Sequence, residues 1–397
     1  MARTAIRALL AVLIVVAAGC GALGLKPSDN EPDAGAGSAE TDARDATQDP
    51  VSELIASLSI ERKVAQLMLV GFEATGSDDP VFSELEQRDY GGLVIDSRNY
   101  LSADQVGGLV DAARAGAREA DHLTPWIMAP QEGGEFNAFA DLPPDLAPAD
   151  IASTGEARDL AEETAAALEE LGVTGILGPV LDVGPVGGGA LDPRSYSDVP
   201  EQVRGYALAT IEAFEQAGIF SAAKHFPGLG AASQSTEQGP ANVGLTLDQL
   251  AARDLVPFRA AIEAGLPGVV VGHGLYGVDD FVTPASTSET IVTDLLRDDL
   301  GFGGVAIADD VTAPAITASF RTSAAAVDAV RAGVDMVYLS GGEEQRRDVY
   351  DALLEAVRGE EISAERLDEA VRRNLVAKRR LDVVELDDRR ASRGSGR

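Results

Sequence analysis

The chain is poor in the residues that build metal centres and covalent cross-links. Among 397 residues there is a single cysteine, Cys20, which excludes a disulfide framework. Three histidines, His122, His225 and His273, are scattered too widely for a zinc site, so chemistry without a metal or other cofactor is expected. Basic residues are also scarce: 32 Lys and Arg against 65 Asp and Glu give a formal charge of −33. That sign argues against nucleic acid or an anionic membrane surface as a partner of the folded part. It fits a highly soluble or salt-adapted surface. Glycine-rich stretches such as Gly187-Gly188-Gly189 and Gly228-x-Gly230 lack the strand–loop–helix spacing that cradles phosphate, which argues against a nucleotide site.

A long apolar run is missing too. The most apolar stretch, residues 8–18, has eleven residues, too few to span a bilayer as a helix. Arg3 and Arg7 precede it and Ala17-Ala18-Gly19-Cys20 closes it, the layout of an export signal. The segment resembles a bacterial lipoprotein signal, with Ala17 in place of the usual leucine. That resemblance implies lipidation of Cys20 and anchoring to the outer face of the cell membrane. An ordinary secretory signal is the alternative. The expected organisation is a signal over 1–19, Cys20 and a Gly/Ala/Ser/Pro/Asp/Glu-rich tether over 20–49, one domain over 50–385, and a frayed tail over 386–397.

Between the tails, eight short apolar runs alternate with helical patterns. The runs are 66–72, 92–95, 125–129, 175–183, 218–223, 268–272, 304–308 and 335–339. They are too short for typical helices and mostly bounded by Gly or Pro, as buried parallel strands are. The pattern over 203–217 places Tyr206, Ala207, Ile211 and Phe214 on one helical face. Eight alternations predict an α/β fold, a single-domain (β/α)8 barrel of the TIM type, with a doubly wound open sheet as the alternative.

In such a barrel the chemistry gathers at the C-terminal ends of the strands. Polar residues predicted there are Gln131-Glu132 after the third run, Asp182 in the fourth, Lys224-His225 after the fifth, His273 after the sixth and Asp309-Asp310 after the seventh. His122 precedes the third run and falls on the opposite face. A cation and an imidazole at the end of a buried strand are costly to desolvate, and they mark a polar pocket.

These residues resemble glycoside hydrolase family 3, in its single-domain bacterial β-N-acetylhexosaminidase branch, over residues 51–383. The matching motifs come in order: Lys63-Val64-Ala65-Gln66-Leu67-Met68 with Gly71-Phe72, Gln131-Glu132-Gly133-Gly134, and Gly178-Pro179-Val180-Leu181-Asp182-Val183. Arg194-Ser195-Tyr196, Lys224-His225-Phe226-Pro227-Gly228 and Pro284-Ala285-Ser286 follow. The series ends with Leu295-Leu296-Arg297, Gly301-Phe302 and Gly304-Val305-Ala306-Ile307-Ala308-Asp309-Asp310.

The resemblance implies a retaining glycosidase, with Asp309 as the nucleophile that attacks the anomeric carbon. It implies sugar-binding roles for Arg194, Lys224 and His225, with Gln131 and His273 as further substrate contacts. Cations there would keep Asp309 ionised. As residues alone, Asp309 or Asp310 could equally be a helix cap, and the cations could form internal ion pairs with Asp182 or Asp309. The substrate class implied is β-linked N-acetylhexosamine, such as peptidoglycan fragments, taken by a monomer.

The chain departs from the family's pattern in three places. The family's loop after Lys-His-Phe-Pro-Gly opens with His and ends in Asp-x-His, its acid/base dyad. Here those positions are Leu229 and Ser235-Thr236-Glu237, and the loop 229–239 holds neither histidine nor aspartate. The family's aspartate before Gln-Glu-Gly-Gly, a sugar-hydroxyl ligand, is Pro130, and the arginine after the motif is Glu135. A glutamate is the usual acid/base of other glycosidases, and Glu237 beside Asp309 in a desolvated site would suit that role. A solvated loop glutamate is the alternative, and with it a catalytically impaired lipoprotein that binds glycans.

Overall fold

The computed structural model describes residues 49–384. The predicted signal, Cys20, the tether and the tail lie outside the described residues. Eight parallel strands close into a barrel: β1 (Met68–Val70), β2 (Gly92–Val94), β3 (Trp126–Ala129), β4 (Gly175–Ile176), β5 (Phe220–Phe226), β6 (Gly268–Val271), β7 (Val305–Ala308) and β8 (Met336–Leu339). β1 pairs with both β2 (Leu69 opposite Gly92) and β8 (Met68 opposite Val337), which seals the ring and rules out the open sheet.

Alternation along each strand divides the core in two. Leu69, Val94, Trp126, Met128, Phe220, Ala222, Val270, Val305, Ile307 and Met336 fill the barrel. The intervening residues, such as Ile127, Ala129, Ala223 and Val269, pack outward against the helices. Trp126, the chain's only tryptophan, lies 4.8 Å from the Phe220 ring, centroid to centroid. Its indole N–H donates to Asn374 Oδ1 at 2.7 Å, tying the barrel floor to the last helix, Ala364–Arg380. The helix read over 203–217 forms as Pro200–Gln216, started by proline at its first turn. It buries Ala207, Ile211 and Phe214 and leaves Tyr206 half-buried.

Three runs differ from their predicted extents by more than one residue at an end. Gln66 ends the helix Ile60–Gln66, and β1 shortens to three residues. Only Gly175–Ile176 of the fourth run is strand; beyond it the chain crosses the mouth, joined to β5 by a single bridge from Val180 to Lys224. The fifth strand runs longer than its apolar stretch and carries Lys224 and His225 within it. The reason lies in the backbone: Lys224 N–H donates to Pro179 O at 2.9 Å, and Lys224 O accepts from Leu181 N–H at 2.5 Å. The chain past β4 thus prolongs the β5 ladder where apolar patterning has already stopped.

Candidate active site

Lys224 and His225 stand at the mouth on β5, followed by a turn at Gly228. That glycine has φ +129°, and a Cβ there would fall 2.4 Å from Asp254 Cβ. Two residues on, a Cβ at Gly230 would lie 1.8 Å from Val183 O, so these two glycines let the loop fold tightly against the chain past β4.

Glu132, in the loop after β3, is the electrostatic centre of the mouth. Arg194 grips it with two hydrogen bonds, Nε to Oε2 at 2.6 Å and Nη2 to Oε1 at 2.8 Å, and Lys224 Nζ lies 2.5 Å from Oε1. Burial alone would push the Glu132 carboxyl up, but the two cations outweigh it and hold it down at about 2. Arg194 and Lys224 are therefore ion-paired, though with Glu132 rather than with Asp182 or Asp309. The sequence named Glu132 at the mouth without a role. The signal was there: an acid at the end of β3 in a pocket that also receives two buried cations.

Asp182, fully buried, fixes the imidazole. Its Oδ2 lies 2.7 Å from His225 Nδ1 and also accepts the His225 backbone N–H, and Oδ1 accepts Leu229 N–H at 2.6 Å. A carboxylate on Nδ1 makes that nitrogen the N–H donor. His225 Nε2 then sits 3.9 Å from Asp309 Oδ2 and 3.5 Å from Arg194 Nη2.

Asp309 and Asp310 separate cleanly. Asp310 Oδ1 accepts from Thr312 N–H, Thr312 Oγ1 and Ser340 N–H, and Oδ2 accepts from Ser340 Oγ. It staples the turn after β7 to the end of β8; neither aspartate caps a helix, since the next one, Pro314–Thr317, has Ala313 at its N-cap. Asp309 Oδ1 accepts only the Asp310 N–H, at 2.9 Å, and its other oxygen faces His225. Burial works to raise the Asp309 carboxyl, but His225, His273, Lys224 and the Asp310 N–H overcome it, and the net displacement is downward. The result is an ionised carboxylate at the mouth with one oxygen uncommitted.

Two expected substrate contacts have other duties. Gln131 donates to Phe139 O, Leu142 O and Pro143 O and accepts Phe139 N–H, so its carboxamide is spent on shaping its own loop. It does not line the cleft. His273 has both ring nitrogens occupied, Nε2 2.9 Å from Asp310 O and Nδ1 2.8 Å from Ser286 Oγ. It props the Asp309-Asp310 turn from behind. His122 bonds Leu85 O, away from the mouth.

The cleft above Asp309 has a volume of about 480 Å3. Its lining adds the loop after β2, Asp96-Ser97-Arg98, which the sequence reading did not single out. The loop 229–239 folds over one side, latched by Ala315 N–H to Thr236 O at 3.1 Å. Thr236 is buried against the cleft and Glu237 reaches its edge. Glu237 lacks the desolvated setting expected for it: its side chain is 76% exposed and lies 3.5 Å from Arg194 Nη1. The arrangement sets an ionised carboxylate with one uncommitted oxygen beside two cations paired to Glu132 and an imidazole, with Glu237 at the edge.

Residues 59–377 match the family described as "Glycosyl hydrolase family 3 N terminal domain". A β-hexosaminidase of Methylococcus capsulatus is 33% identical over 272 residues, 66% of this chain and 79% of that protein. One of Idiomarina loihiensis is 31% identical over 334 residues, 81% of this chain and 96% of that protein. A solved family 3 β-N-acetylglucosaminidase of Paenibacillus superposes with a TM-score of 0.79 at 30% identity. That match covers 82% of this chain and 63% of the Paenibacillus chain.

Proposed function

Because the chain belongs to glycosyl hydrolase family 3, we propose that it is a β-N-acetylhexosaminidase that works by retention through a covalent intermediate on Asp309. The observation that carries this reading is the state of Asp309: ionised, 3.9 Å from an imidazole, with one oxygen uncommitted at the floor of a cleft.

In the first step an Asp309 oxygen bonds the anomeric carbon while the glycosidic C–O bond breaks, and the departing oxygen takes a proton from Glu237. In the second, Glu237 takes a proton from water, the water oxygen bonds the anomeric carbon, and Asp309 is released. Arg194 and Lys224 are the donors available to sugar hydroxyls, and His225 Nε2 is an acceptor beside them. Glu132 spreads the charge of the first two, so they donate without binding anions indiscriminately.

The N-terminal sequence supports export, lipidation at Cys20 and residence on the outer face of the cell membrane. There a monomeric hydrolase would meet peptidoglycan fragments. The exposure of Glu237, together with the absent Asp-x-His dyad and Pro130, favours an impaired glycan-binding protein instead.

The deciding experiment is hydrolysis of 4-nitrophenyl β-N-acetylglucosaminide and a panel of other β-glycosides by the chain from Pro50 onward, with Asp309→Asn beside it. Turnover that vanishes in Asp309→Asn supports the reading, and mass-spectrometric trapping of a glycosyl adduct on Asp309 would locate it. Sugar binding with no turnover of any glycoside overturns it in favour of the binding protein.

A further inference from the structure

The cleft has one side on which a sugar hydroxyl finds almost nothing to bond. The loop after β3 contributes Pro130, Phe136, Asn137 and Ala138 to the lining. Pro130 has no N–H, and its carbonyl accepts Ala138 N–H at 3.0 Å. Phe136 lies under the Arg194 guanidinium, 5.3 Å from ring centroid to carbon, and Phe136 and Ala138 have no polar side-chain atoms. Asn137 is the one amide there, and its groups are engaged: Oδ1 accepts Gly133 N–H at 2.7 Å, and Nδ2 donates to Leu142 O and Pro144 O. Gln131, behind it, is tied up in the same way. This loop also brings two carboxylates to the lining, Glu132, which is taken up by Arg194 and Lys224, and the exposed Glu135. The donors that border this wall are Arg194, which lies against Phe136 itself, and Lys224, both held on Glu132.

We infer that the wall formed by Pro130, Phe136 and Ala138 selects a sugar presenting no free hydroxyl on that side, one deoxygenated there or carrying an O-alkyl or O-acyl group. This rests on the glycosidase reading above. At Pro130 the family's pattern has an aspartate that holds a sugar hydroxyl; here a hydroxyl facing the wall loses its water and gains no partner. An apolar substituent gains contact instead. Discrimination of this kind between an apolar wall and a hydroxyl reaches about 100-fold. Pro130 is then a specificity-determining residue, and the substrate differs from unsubstituted N-acetylglucosamine at one position.

The test compares 4-nitrophenyl β-N-acetylglucosaminide with its 3-, 4- and 6-monodeoxy and mono-O-methyl derivatives, on the wild type, Pro130→Asp and Pro130→Ser. Calorimetric binding of the corresponding free sugars gives a second readout that needs no turnover. At one ring position the altered sugar is expected to exceed the parent by roughly 10- to 100-fold in kcat/KM and in affinity. Pro130→Asp is expected to reverse that preference and Pro130→Ser to weaken it. A wild type that ranks the parent first at every position overturns the inference, as does a preference unchanged in both variants or a failure of every sugar to bind. If the glycosidase reading alone fails, turnover is absent while the ranking in binding persists.

Discussion

His225 Nε2 faces Asp309 Oδ2 across 3.9 Å while its other nitrogen is held 2.7 Å from Asp182. Residues from the chain past β4, from β5 and from just after β7 thus meet in sequence, carboxylate–imidazole–carboxylate, and the middle member can turn only if the buried Asp182 lets go. Asp182 also holds the Leu229 N–H where the loop 229–239 begins, so one carboxylate sets both the imidazole and the root of the loop bearing Glu237.

Asp182→Asn should therefore impair recognition more than folding. The carboxamide keeps the shape but presents an acceptor and a donor where three donors arrived, and the imidazole loses its enforced orientation. We expect kcat/KM to fall about 10- to 100-fold, the equivalent of one or two good hydrogen bonds. Steady-state kinetics with a thermal-unfolding control checks this.

Glu132→Gln should be costlier. It leaves Arg194 and Lys224 buried beside each other without their counter-charge, a change worth about 3–5 kcal/mol in comparable buried pairs. The same carboxyl gives the wild type an acid limit. Its value in the fold, about 2, is below the ordinary 4.5, so its contribution is whole above pH 4.5 and drains away as pH falls towards 2. Urea unfolding between pH 2 and 6 should show that slope in the wild type and its loss in the variant.

Glu237→Gln should reveal itself through the leaving group. Loss of proton donation costs about 10²–10⁴-fold when the departing oxygen is a poor leaving group, and much less for a nitrophenolate, which departs unaided. A disaccharide assayed beside the nitrophenyl glycoside reads the ratio. Equal losses on both would take the acid role away from Glu237.

Two buried groups should give the fold opposing pH slopes that meet near neutrality. Burial raises Asp254 from 3.8 to about 7, so its contribution is full below pH 3.8 and is lost as pH climbs to 7. Burial lowers Lys378 from 10.5 to about 7, so its contribution is full above pH 10.5 and is lost as pH falls to 7. Each slope approaches about 1.4 kcal/mol per pH unit at most. Urea midpoints against pH should flatten on the acid side in Asp254→Asn and on the alkaline side in Lys378→Met.

The barrel was legible because buried parallel strands write themselves as short apolar runs, and all eight were in place. Their ends were less so. Lys224 and His225 lie inside β5, since it is the backbone of Pro179 and Leu181 that extends the ladder, and backbone pairing leaves no trace in side-chain pattern. The site's charged residues could be read from type and position. Who pairs with whom could not: the identity of Glu132 as the shared partner depends on three loops converging. Gln131 and His273 stand at strand ends as substrate contacts would, but their polar atoms are consumed by carbonyls and a hydroxyl that no spacing rule points to. For Asp309 and Asp310, adjacent and chemically identical, only the neighbours Thr312 and Ser340 decide which is the staple.

The lone indole at the barrel floor gives the molecule a built-in gauge. Trp126 touches Phe220 on one side and is bonded to Asn374 on the other, so its emission reports whether the first half of the ring and the final helix are joined. The cleft opens at the other end of the strands. Fluorescence should thus stay silent as sugars bind and change abruptly when the ring opens, letting occupancy and integrity be followed separately in one cuvette.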